Sequence, residues 1–259
     1  MNTRGNTVLV TGGASGIGLA IARAFSDLGN RVLICGRNPE ALGEAKRANP
    51  EFHVFQCDVT QPDQVQMMFG MIAERHADLN VLVNNAGVAF LSDFLHDDEV
   101  LAKAQREVET NLLGTLRVTK AALPLLLSKG AAAIVTISSA VALVPVPSTA
   151  IYSATKAALH SLSVSLRYQL RGTSVKVFEV MPPTVDTEVG RNIGGRRLAP
   201  RDVAKAVVAG FRRNAHEIRM GAAKALYVAY RISPGLAEHI LRRATAVPTG
   251  STGEPRSLS

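Results

Sequence analysis

Residues 7–18 of the chain read TVLVTGGASGIG, an apolar run followed by a glycine-rich turn. The apolar part, Thr7–Thr11, has the length and the β-branched content of a strand that is buried on both faces. Glycines let the backbone turn sharply, and a helix that begins directly after such a turn presents free N–H groups to an anion. The stretch therefore predicts a strand, a phosphate-binding loop and a helix, the opening unit of a dinucleotide-binding fold.

The same alternation continues to about residue 220. Short runs rich in Val, Ile and Leu predict strands at Thr7–Thr11, Arg31–Cys35, Phe52–Cys57, Val81–Asn84, Ala132–Ser138 and Val175–Met181, with a shorter one near Ile218. Between them, helical patterns cover Gly18–Leu28, Pro39–Ala48, Gln64–His76, Asp98–Leu127, Tyr152–Arg171 and Arg201–Asn214. This alternation predicts an α/β fold in a single domain, with a doubly wound parallel sheet of the Rossmann type and helices on both faces.

The composition narrows the classes of protein. Hydrophobic residues make up 47% of the chain and charged residues 19%, which excludes a disordered chain. The two cysteines, Cys35 and Cys57, have neither the number for a disulfide scaffold nor the spacing of a zinc site. The histidines do not pair at metal-ligand spacing, and His160 is expected to be a surface or packing residue. We therefore expect no metal site.

The charge and the N-terminus bear on partners and location. The net charge of +8 is concentrated after residue 110, which could indicate a nucleic acid or an anionic membrane. The arginines are scattered among helical positions and no nucleic-acid-binding motif accompanies them, so a solvated surface is favoured and no nucleic-acid partner is expected. The opening MNTRGNTVLV has no signal-peptide pattern, and no apolar run reaches about 18 residues, which together predict a cytoplasmic protein.

Four motifs follow one another in the chain. They are TGGASGIG at 11–18, NNAG at 84–87, Asn111 in the long predicted helix, and Ser139 with the Tyr152-x-x-x-Lys156 element. In order and spacing they resemble the classical short-chain dehydrogenase/reductase family over about residues 6–215. Within that family, the segment VFEVMPPTVDTEVG at 177–190 and the helix Asp98–Leu127 are most similar to the bacterial DltE-like subgroup, which implies no particular substrate.

The resemblance implies a catalytic role for each of four residues. Tyr152 would be the general acid and base, Ser139 would polarise the substrate oxygen, and Asn111 would hold a water in a proton relay. A free tyrosine titrates near 10, and Lys156 lies four residues later on the same helix face, where its charge is expected to lower the pKa of Tyr152. Ser138 competes with Ser139, but the family's spacing to the tyrosine selects Ser139.

The resemblance also implies a nicotinamide cofactor. The residues expected to bind it are Gly12, Ser15, Gly16, Ile17, Gly18, Arg37, Asp58, Val59, Asn85, Ala86, Gly87, Tyr152, Lys156, Pro182, Val185 and Thr187. Asp58 also has a plain structural interpretation as a turn residue or helix cap. Where the family has Pro-Gly after the sixth strand, this chain has Pro182-Pro183, so the loop that carries Val185 and Thr187 is expected to be stiffer.

The end of the second strand bears on the choice of cofactor. An acidic residue there normally binds the ribose 2′-hydroxyl of NAD, whereas an arginine accommodates the 2′-phosphate of NADP. The chain reads Cys35-Gly36-Arg37-Asn38, without an acid and with an arginine. We therefore expect NADP(H) to be preferred over NAD(H).

The function expected from this resemblance is hydride transfer between nicotinamide and a small-molecule carbonyl or secondary alcohol. The alternative is a non-catalytic dinucleotide-binding sensor or scaffold, a class expected to lose Tyr152 or Lys156, both of which this chain keeps. The family dimerises through its two long helices, here Asp98–Leu127 and Tyr152–Arg171, so a homodimer or higher homo-oligomer is expected.

The domain organisation has three parts. Residues 1–220 are expected to form the dinucleotide-binding and catalytic domain, residues 221–247 amphipathic helices packed on it, and residues 248–259 a disordered tail rich in Ser, Gly and Pro. A basic amphipathic pair could instead give 221–244 a peripheral contact with an anionic membrane. Packing against the protein is favoured, because basic amphipathic helices more often pack on a protein surface.

Overall fold

The computed structural model describes residues 1–187 and 197–221, together with positions 227, 228, 233 and 235. The predicted C-terminal helices of 221–247, the predicted disordered tail of 248–259 and the membrane contact considered for 221–244 therefore lie outside the described residues, apart from positions 221, 227, 228, 233 and 235. Among the helices of the described part, none has both the length and the apolar character that crossing a membrane requires.

Within the described residues, seven parallel strands form one sheet. They are β1 (Thr7–Thr11), β2 (Arg31–Gly36), β3 (His53–Gln56), β4 (Leu79–Asn84), β5 (Ala132–Ile137), β6 (Val175–Met181) and β7 (Glu217–Arg219), in the order β3-β2-β1-β4-β5-β6-β7. The predicted fold class is confirmed. The order reverses between β1 and β4, and in doubly wound sheets the crevice beyond the carboxyl ends of the strands at such a reversal is where ligands bind.

Helices cover both faces of this sheet. They are α1 (Gly16–Ser26), α2 (Pro39–Ala48), α3 (Pro62–Arg75), α4 (Val100–Glu107), α5 (Gly114–Leu127), α6 (Ala150–Gln169) and α7 (Pro200–Arg213). The single helix predicted over Asp98–Leu127 is corrected in one respect, because a π-helical segment, Val108–Leu113, separates α4 from α5. A π-turn changes the hydrogen-bond register without changing the apolar periodicity on which the prediction relied, and such segments are frequent at functional sites.

The sheet buries apolar side chains on both faces, since successive residues of a strand point to opposite sides. Val8 and Val10 join the layer under α1, α2 and α7, whereas Leu9 joins the layer under α3 and α5. Both cysteines are buried free thiols, and burial raises the pKa of Cys57 to about 11 and that of Cys35 further. They are therefore unreactive packing residues.

Candidate active site

The glycine-rich loop after β1 is shaped by backbone conformations that favour glycine. Gly12 and Gly16 have φ values of 62° and 53°, in the left-handed region. A Cβ at residue 18 would lie 2.2 Å from the carbonyl oxygen of Gly12, so only glycine fits there. Ser15 precedes α1, is exposed, and makes no side-chain capping bond to the helix. The N-terminus of α1 is thus open to an anion such as a pyrophosphate.

The end of β4 holds this loop in place. The amides of Asn85 and Ala86 donate to Oγ1 of Thr11 at 2.9 and 3.0 Å. The side-chain amide of Asn85 donates to the carbonyl oxygens of Thr11 and Gly12, at 3.0 and 3.2 Å. The two neighbouring strand ends, β1 and β4, are therefore fastened together at the reversal of strand order.

A cavity of about 600 Å³ opens beyond the ends of β2 and β3. It is lined by Arg37 and Asp58 from the strand ends, and by residues of the α4–α5 region that include Arg106 and Arg117. Oδ1 of Asp58 accepts a hydrogen bond from the amide of Thr60 at 2.9 Å. Asp58 thus forms the turn considered in the sequence analysis and also faces the cavity. The cavity lies where the adenosine end of a dinucleotide would be expected, and its lining carries three arginines beside Asp58 and Glu109, of which Arg117 is paired with Glu109 at 3.0 Å.

Val59 and Gly87 meet the helical layer at the cleft. A Cβ at Gly114 would lie 2.7 Å from Cγ2 of the buried Val59, so α5 approaches this strand end closely. A Cβ at Gly87 would lie 3.2 Å from Oδ1 of Asn111 and 3.7 Å from Nζ of Lys156. Gly87 therefore leaves space directly beside two of the predicted catalytic side chains.

The loop after β6 reaches back to the phosphate loop despite its second proline. The carbonyl of Pro182 accepts from the amide of Ala140 at 2.9 Å. Val185 is buried and forms a parallel bridge with Leu198. A Cβ at Gly16 would lie 3.1 Å from Cγ2 of Thr187, so this loop and the phosphate loop are in contact range.

Ser139, Tyr152 and Lys156 meet at the carboxyl edge of β5. Burial raises the pKa of Tyr152 to about 12, against the opposing effect of a hydrogen bond with Ser139. Nζ of Lys156 lies 5.4 Å from the centre of the Tyr152 ring and donates to the carbonyl of Ile137 at 3.0 Å. Ser138 instead donates to Glu179 at 2.6 Å. Of the two adjacent serines, Ser139 is the one beside the tyrosine.

The expected lowering of the pKa of Tyr152 by Lys156 is corrected by this geometry. The ammonium lies over the face of the ring and is bound to a backbone carbonyl, so desolvation dominates the titration of the phenol. Tyr152 is consequently protonated at neutral pH, the form that can donate a proton.

Asn111 lies in the π-helical segment and faces inward. Its Oδ1 accepts from the amide of Val88 at 2.8 Å, and its Nδ2 donates to the carbonyl of Val88 at 2.9 Å and to Oγ1 of Thr155 at 3.1 Å. It therefore ties the loop after β4 to α6, the helix that carries Tyr152 and Lys156. This bracing acts on the helix and does not require a side-chain contact between Asn111 and the phenol of Tyr152.

Two buried carboxylates near the site were not predicted. Glu107 accepts from the amide of Phe90 at 2.7 Å, and burial raises its pKa. Glu179 is fully buried, and His160, expected as a surface or packing residue, instead contacts it with Nδ1 at 2.8 Å from Oε2. The available signal for Glu179 was an acid within the otherwise apolar run 177–181 of β6.

His160, Glu179 and Glu217 also place their donor atoms within 4.8 Å of one another, a spacing that a metal ion could use. However, the guanidinium of Arg167 lies 3.2 Å from Glu217 and 3.8 Å from Glu179. The two carboxylates thus have a counter-charge from a side chain, and we assign no metal site to them.

The chain is similar to known proteins over most of its length. A family model described as "short chain dehydrogenase" matches residues 6–197. A similar curated protein, "Uncharacterized oxidoreductase DltE" of Bacillus subtilis (strain 168), is 44% identical over 187 residues, 72% of this chain and 74% of that protein.

Solved structures are also similar. A short chain dehydrogenase from Burkholderia cenocepacia J2315, in complex with NADP, is 32% identical with a TM-score of 0.83, covering 93% of this chain and 99% of that one. A short chain dehydrogenase/reductase from Burkholderia phymatum, in complex with NAD, also has a TM-score of 0.83 and covers 100% of both chains. At 22% identity, the second likeness bears on the fold alone.

Proposed function

The chain belongs to the short chain dehydrogenase family and resembles its DltE-like members, and from that premise we propose that it is an NADP(H)-dependent oxidoreductase acting on a carbonyl or a secondary alcohol. The observation that carries the proposal is the convergence of Ser139, Tyr152 and Lys156 at one strand edge, next to the segment after β4 that holds the glycine-rich loop. A binding protein without catalysis has no need of a protonated phenol at that place.

The chain's own residues fit a dinucleotide. The uncapped N-terminus of α1 suits the pyrophosphate. At Gly18 there is no room for a side chain, which keeps the loop close to the pyrophosphate. Asp58 and Val59 would hold the adenine end, with Ser15, Ile17 and the Asn85–Gly87 segment along the cleft, and Pro182, Val185 and Thr187 at the nicotinamide end. When bound, the nicotinamide supplies or accepts the hydride.

The proton is handled by side chains already in position. In the direction of reduction, Tyr152 donates the proton of its hydroxyl to the substrate oxygen, and with its raised pKa the phenol carries that proton at neutral pH. Ser139, hydrogen-bonded to the phenol, orients the same oxygen. Lys156 would bind the ribose of the cofactor, and Asn111, in addition to bracing the loop after β4, would hold the water that returns the proton to the tyrosine.

The preference for NADP(H) rests on the lining of the 600 Å³ cavity. Arg37 is exposed at the end of β2, and Arg106 and Arg117 line the same cavity. Guanidinium groups bind phosphate oxygens in pairs, and no acid stands at the end of β2 to bind a 2′-hydroxyl instead. We expect wild-type protein to bind NADPH more tightly than NADH in titrations of nicotinamide fluorescence, and equal affinities would contradict this preference.

The decisive experiment is a panel of ketones, aldehydes and secondary alcohols with NADPH or NADP, followed by the absorbance of NADPH. Once a substrate is found, Tyr152→Phe should lower turnover about 10²–10⁴-fold while NADPH binding stays within about threefold, because only the transferable proton is lost. Tyr168→Phe is the matched control, since Tyr168 lies on the same helix but is 73% exposed. Loss of activity in the control, or its retention in Tyr152→Phe, would contradict the assignment.

A different outcome would favour the non-catalytic alternative. Protein that binds NADPH tightly but turns over none of the panel, and whose NADPH affinity is unaffected by Tyr152→Phe, would behave as a dinucleotide sensor or scaffold. The protonated phenol would then have no chemical role.

The proposed assembly is at least a homodimer through α4–α5 and α6. The exposed surface of α6 carries a row of small residues, Ala154, Ala157, Ser161 and Ser165, which lets another helix approach closely. Light scattering at micromolar concentrations should show no monomer, and a monomer would contradict the proposal. We place this enzyme in the cytoplasm, and the unpaired thiols of Cys35 and Cys57 are consistent with a reducing compartment.

A further inference from the structure

One row of side chains on α6 connects the active site to a buried charge. Tyr152, Lys156, His160 and Arg167 are spaced so that they lie on one face of the helix. Beneath the middle of this row lies Glu179 of β6, whose backbone pairs with Thr136 of β5. The carboxylate is therefore enclosed between the catalytic helix and the sheet, on the strand next to the edge strand β7.

The contacts of Glu179 are all made with this face and with the end of β5. Oε1 accepts from the hydroxyl of Ser138 at 2.6 Å, and Oε2 lies 2.8 Å from Nδ1 of His160 and 3.8 Å from the guanidinium of Arg167. Ser138 directly follows Ile137, whose carbonyl accepts from Nζ of Lys156 at 3.0 Å. The buried acid and the ammonium thus bind adjacent residues of the same strand end.

We propose that Glu179 is a positioning residue of the active site, the buried counter-charge that keeps Lys156 in its protonated form. The inference rests on the proposed function, in which Lys156 binds the cofactor as an ammonium. It adds a residue that the catalytic motif does not contain.

The physical need for such a residue follows from the surroundings of Lys156. The side chain is buried, with 4% of its surface exposed, and removing an ammonium from water strongly favours the neutral amine. Burial accordingly lowers the pKa of Lys156 to about 8, and the charge of Glu179 opposes that fall. Without the carboxylate, desolvation would act alone and Lys156 would lose its proton closer to neutral pH.

Other polar and charged groups also surround Glu179. His160 and Arg167 face it from α6, and Ser138 donates to it from β5. On the β7 side, Glu217 forms ion pairs with Arg167 and Arg219, so it has its own partners. His216 lies against the carbonyl of Val177, with its Nδ1 3.3 Å from that oxygen. Among these acids, Glu179 is the one whose charge acts on Lys156.

The test measures the protonation midpoint of Lys156 by NMR of isotope-labelled lysine side chains in the full-length protein, with the signal assigned by its loss in Lys156→Arg. Glu179→Gln should lower the midpoint by about one pH unit or more, a tenfold loss of proton affinity. Glutamine can still accept from Ser138, so the isostere keeps the packing. A midpoint that stays within about 0.3 pH unit of wild type overturns the proposal.

Three further variants separate charge from structure. Glu217→Gln is the matched control, since it removes a neighbouring carboxylate by the same substitution and should leave the midpoint unchanged. Glu179→Asp keeps the charge one methylene further back and should give an intermediate midpoint. Ser138→Ala removes the hydrogen bond but not the charge, and should leave the midpoint near that of wild type. If Glu179→Gln fails to fold, Glu179→Asp and Ser138→Ala carry the test, and equal shifts in both would overturn the proposal.

NADPH binding across pH provides the link to function. In wild type, affinity should fall as pH rises through the midpoint of Lys156, and in Glu179→Gln this fall should occur at a pH lower by the same amount. If the NMR midpoint moves and the binding profile does not, Glu179 still controls Lys156, and the role of Lys156 in cofactor binding is the part that fails. If the protein binds no NADPH at all, the proposed function fails while the NMR result still decides the inference.

Discussion

The two ends of the cleft are constructed from different parts of the polypeptide. At the phosphate end, residues 11–18 and 84–87 work through backbone: positive φ angles, an uncapped helix terminus and glycines with no room for a Cβ. At the catalytic end, Ser138–Ser139, the α6 face and Glu179 work through buried polar side chains. Backbone features bind any pyrophosphate, whereas the buried side chains set which groups carry protons.

The two designs respond to substitution in different ways. A backbone site tolerates changes in charge but not added volume, because its donors are amides held at fixed positions. Where buried side chains share hydrogen bonds, a change in the volume of one of them disturbs the others. Such a site is also sensitive to the loss of a single charge. The following predictions test this contrast.

The largest effect is expected from the adjacent serines at the end of β5. Ser139→Ala should lower turnover about 10²–10³-fold, because it removes a donor aimed at the reacting oxygen. Ser138→Ala should reduce turnover less than about tenfold, since Ser138 binds Glu179 and has no contact with the phenol. Kinetics with the substrate found in the panel measures both, and equal losses would show that the two hydroxyls do not have separate roles.

A smaller loss is expected from Gly18→Ala at the phosphate end. The new Cβ would lie 2.2 Å from the carbonyl of Gly12, and relieving that overlap should cost roughly 1–3 kcal/mol and weaken NADPH binding about ten- to a hundredfold. The matched control is Gly130→Ala, because Gly130 is exposed and its Cβ would meet no atom within 4 Å. Isothermal titration of NADPH compares the variants, and a normal affinity for Gly18→Ala would show that the loop adapts.

This contrast also explains what the sequence could predict. The strands, the glycine loop and the order of the motifs follow from local patterns, since apolar runs and glycine spacing are properties of adjacent residues. The π-helical segment at Val108–Leu113 leaves the apolar periodicity unchanged and was missed. The partners of Glu179 come from β5 and α6, far away in the chain, so only the acid itself, and not its network, was visible in the sequence.

The same reasoning accounts for the error about Tyr152. Spacing places Lys156 one helical turn from the phenol, which was the basis for expecting a lowered pKa. Whether desolvation or the nearby charge dominates depends on burial and on where the ammonium is bound, and these are tertiary properties. The raised pKa of Tyr152 therefore required the structure.

Arg37→Ala should have a more modest effect, confined to the phosphate end. Arg37 is exposed, so its bond to a 2′-phosphate is expected to contribute about tenfold in affinity. The variant should bind NADPH about tenfold more weakly and NADH with unchanged affinity, so that the preference for NADPH over NADH becomes smaller. Arg212→Ala, a change to an exposed arginine in the last turn of α7, is the control and should alter neither affinity. A parallel loss of NADH binding would mean that Arg37 does not read the 2′-phosphate.

The smallest expected effect is a pH dependence of stability that differs in sign between the catalytic end of the cleft and the amino-terminal edge of the sheet at β3. At the catalytic end, the hydrogen bond to Glu179 raises the pKa of His160 above its usual value, despite opposing desolvation. At the amino-terminal end of β3, burial lowers the pKa of His53 and that of the neighbouring His76, whose ring centres lie 4.4 Å apart in an edge-to-face arrangement. Protonation of His160 therefore favours the folded state, whereas protonation of the other pair disfavours it.

The sign fixes the pH window for each region. The stabilisation from His160 is complete below its unfolded pKa of about 6.5 and is lost as pH rises through its higher folded pKa. For His53 and His76, stability is complete above about 6.5 and is lost as pH falls toward their lower folded values. Wild type should lose stability as pH rises above neutral, and His160→Gln should abolish this loss. The difference in stability should be less than ~1 kcal/mol, because the His160 ring is partly exposed. Thermal melts between about pH 5.5 and 8 measure it as the difference between wild type and variant, a few degrees at most. His76→Gln should change only the acid side of the same curve, and an identical pH dependence in the two variants would show that the catalytic end and the amino-terminal edge of the sheet do not differ in this way.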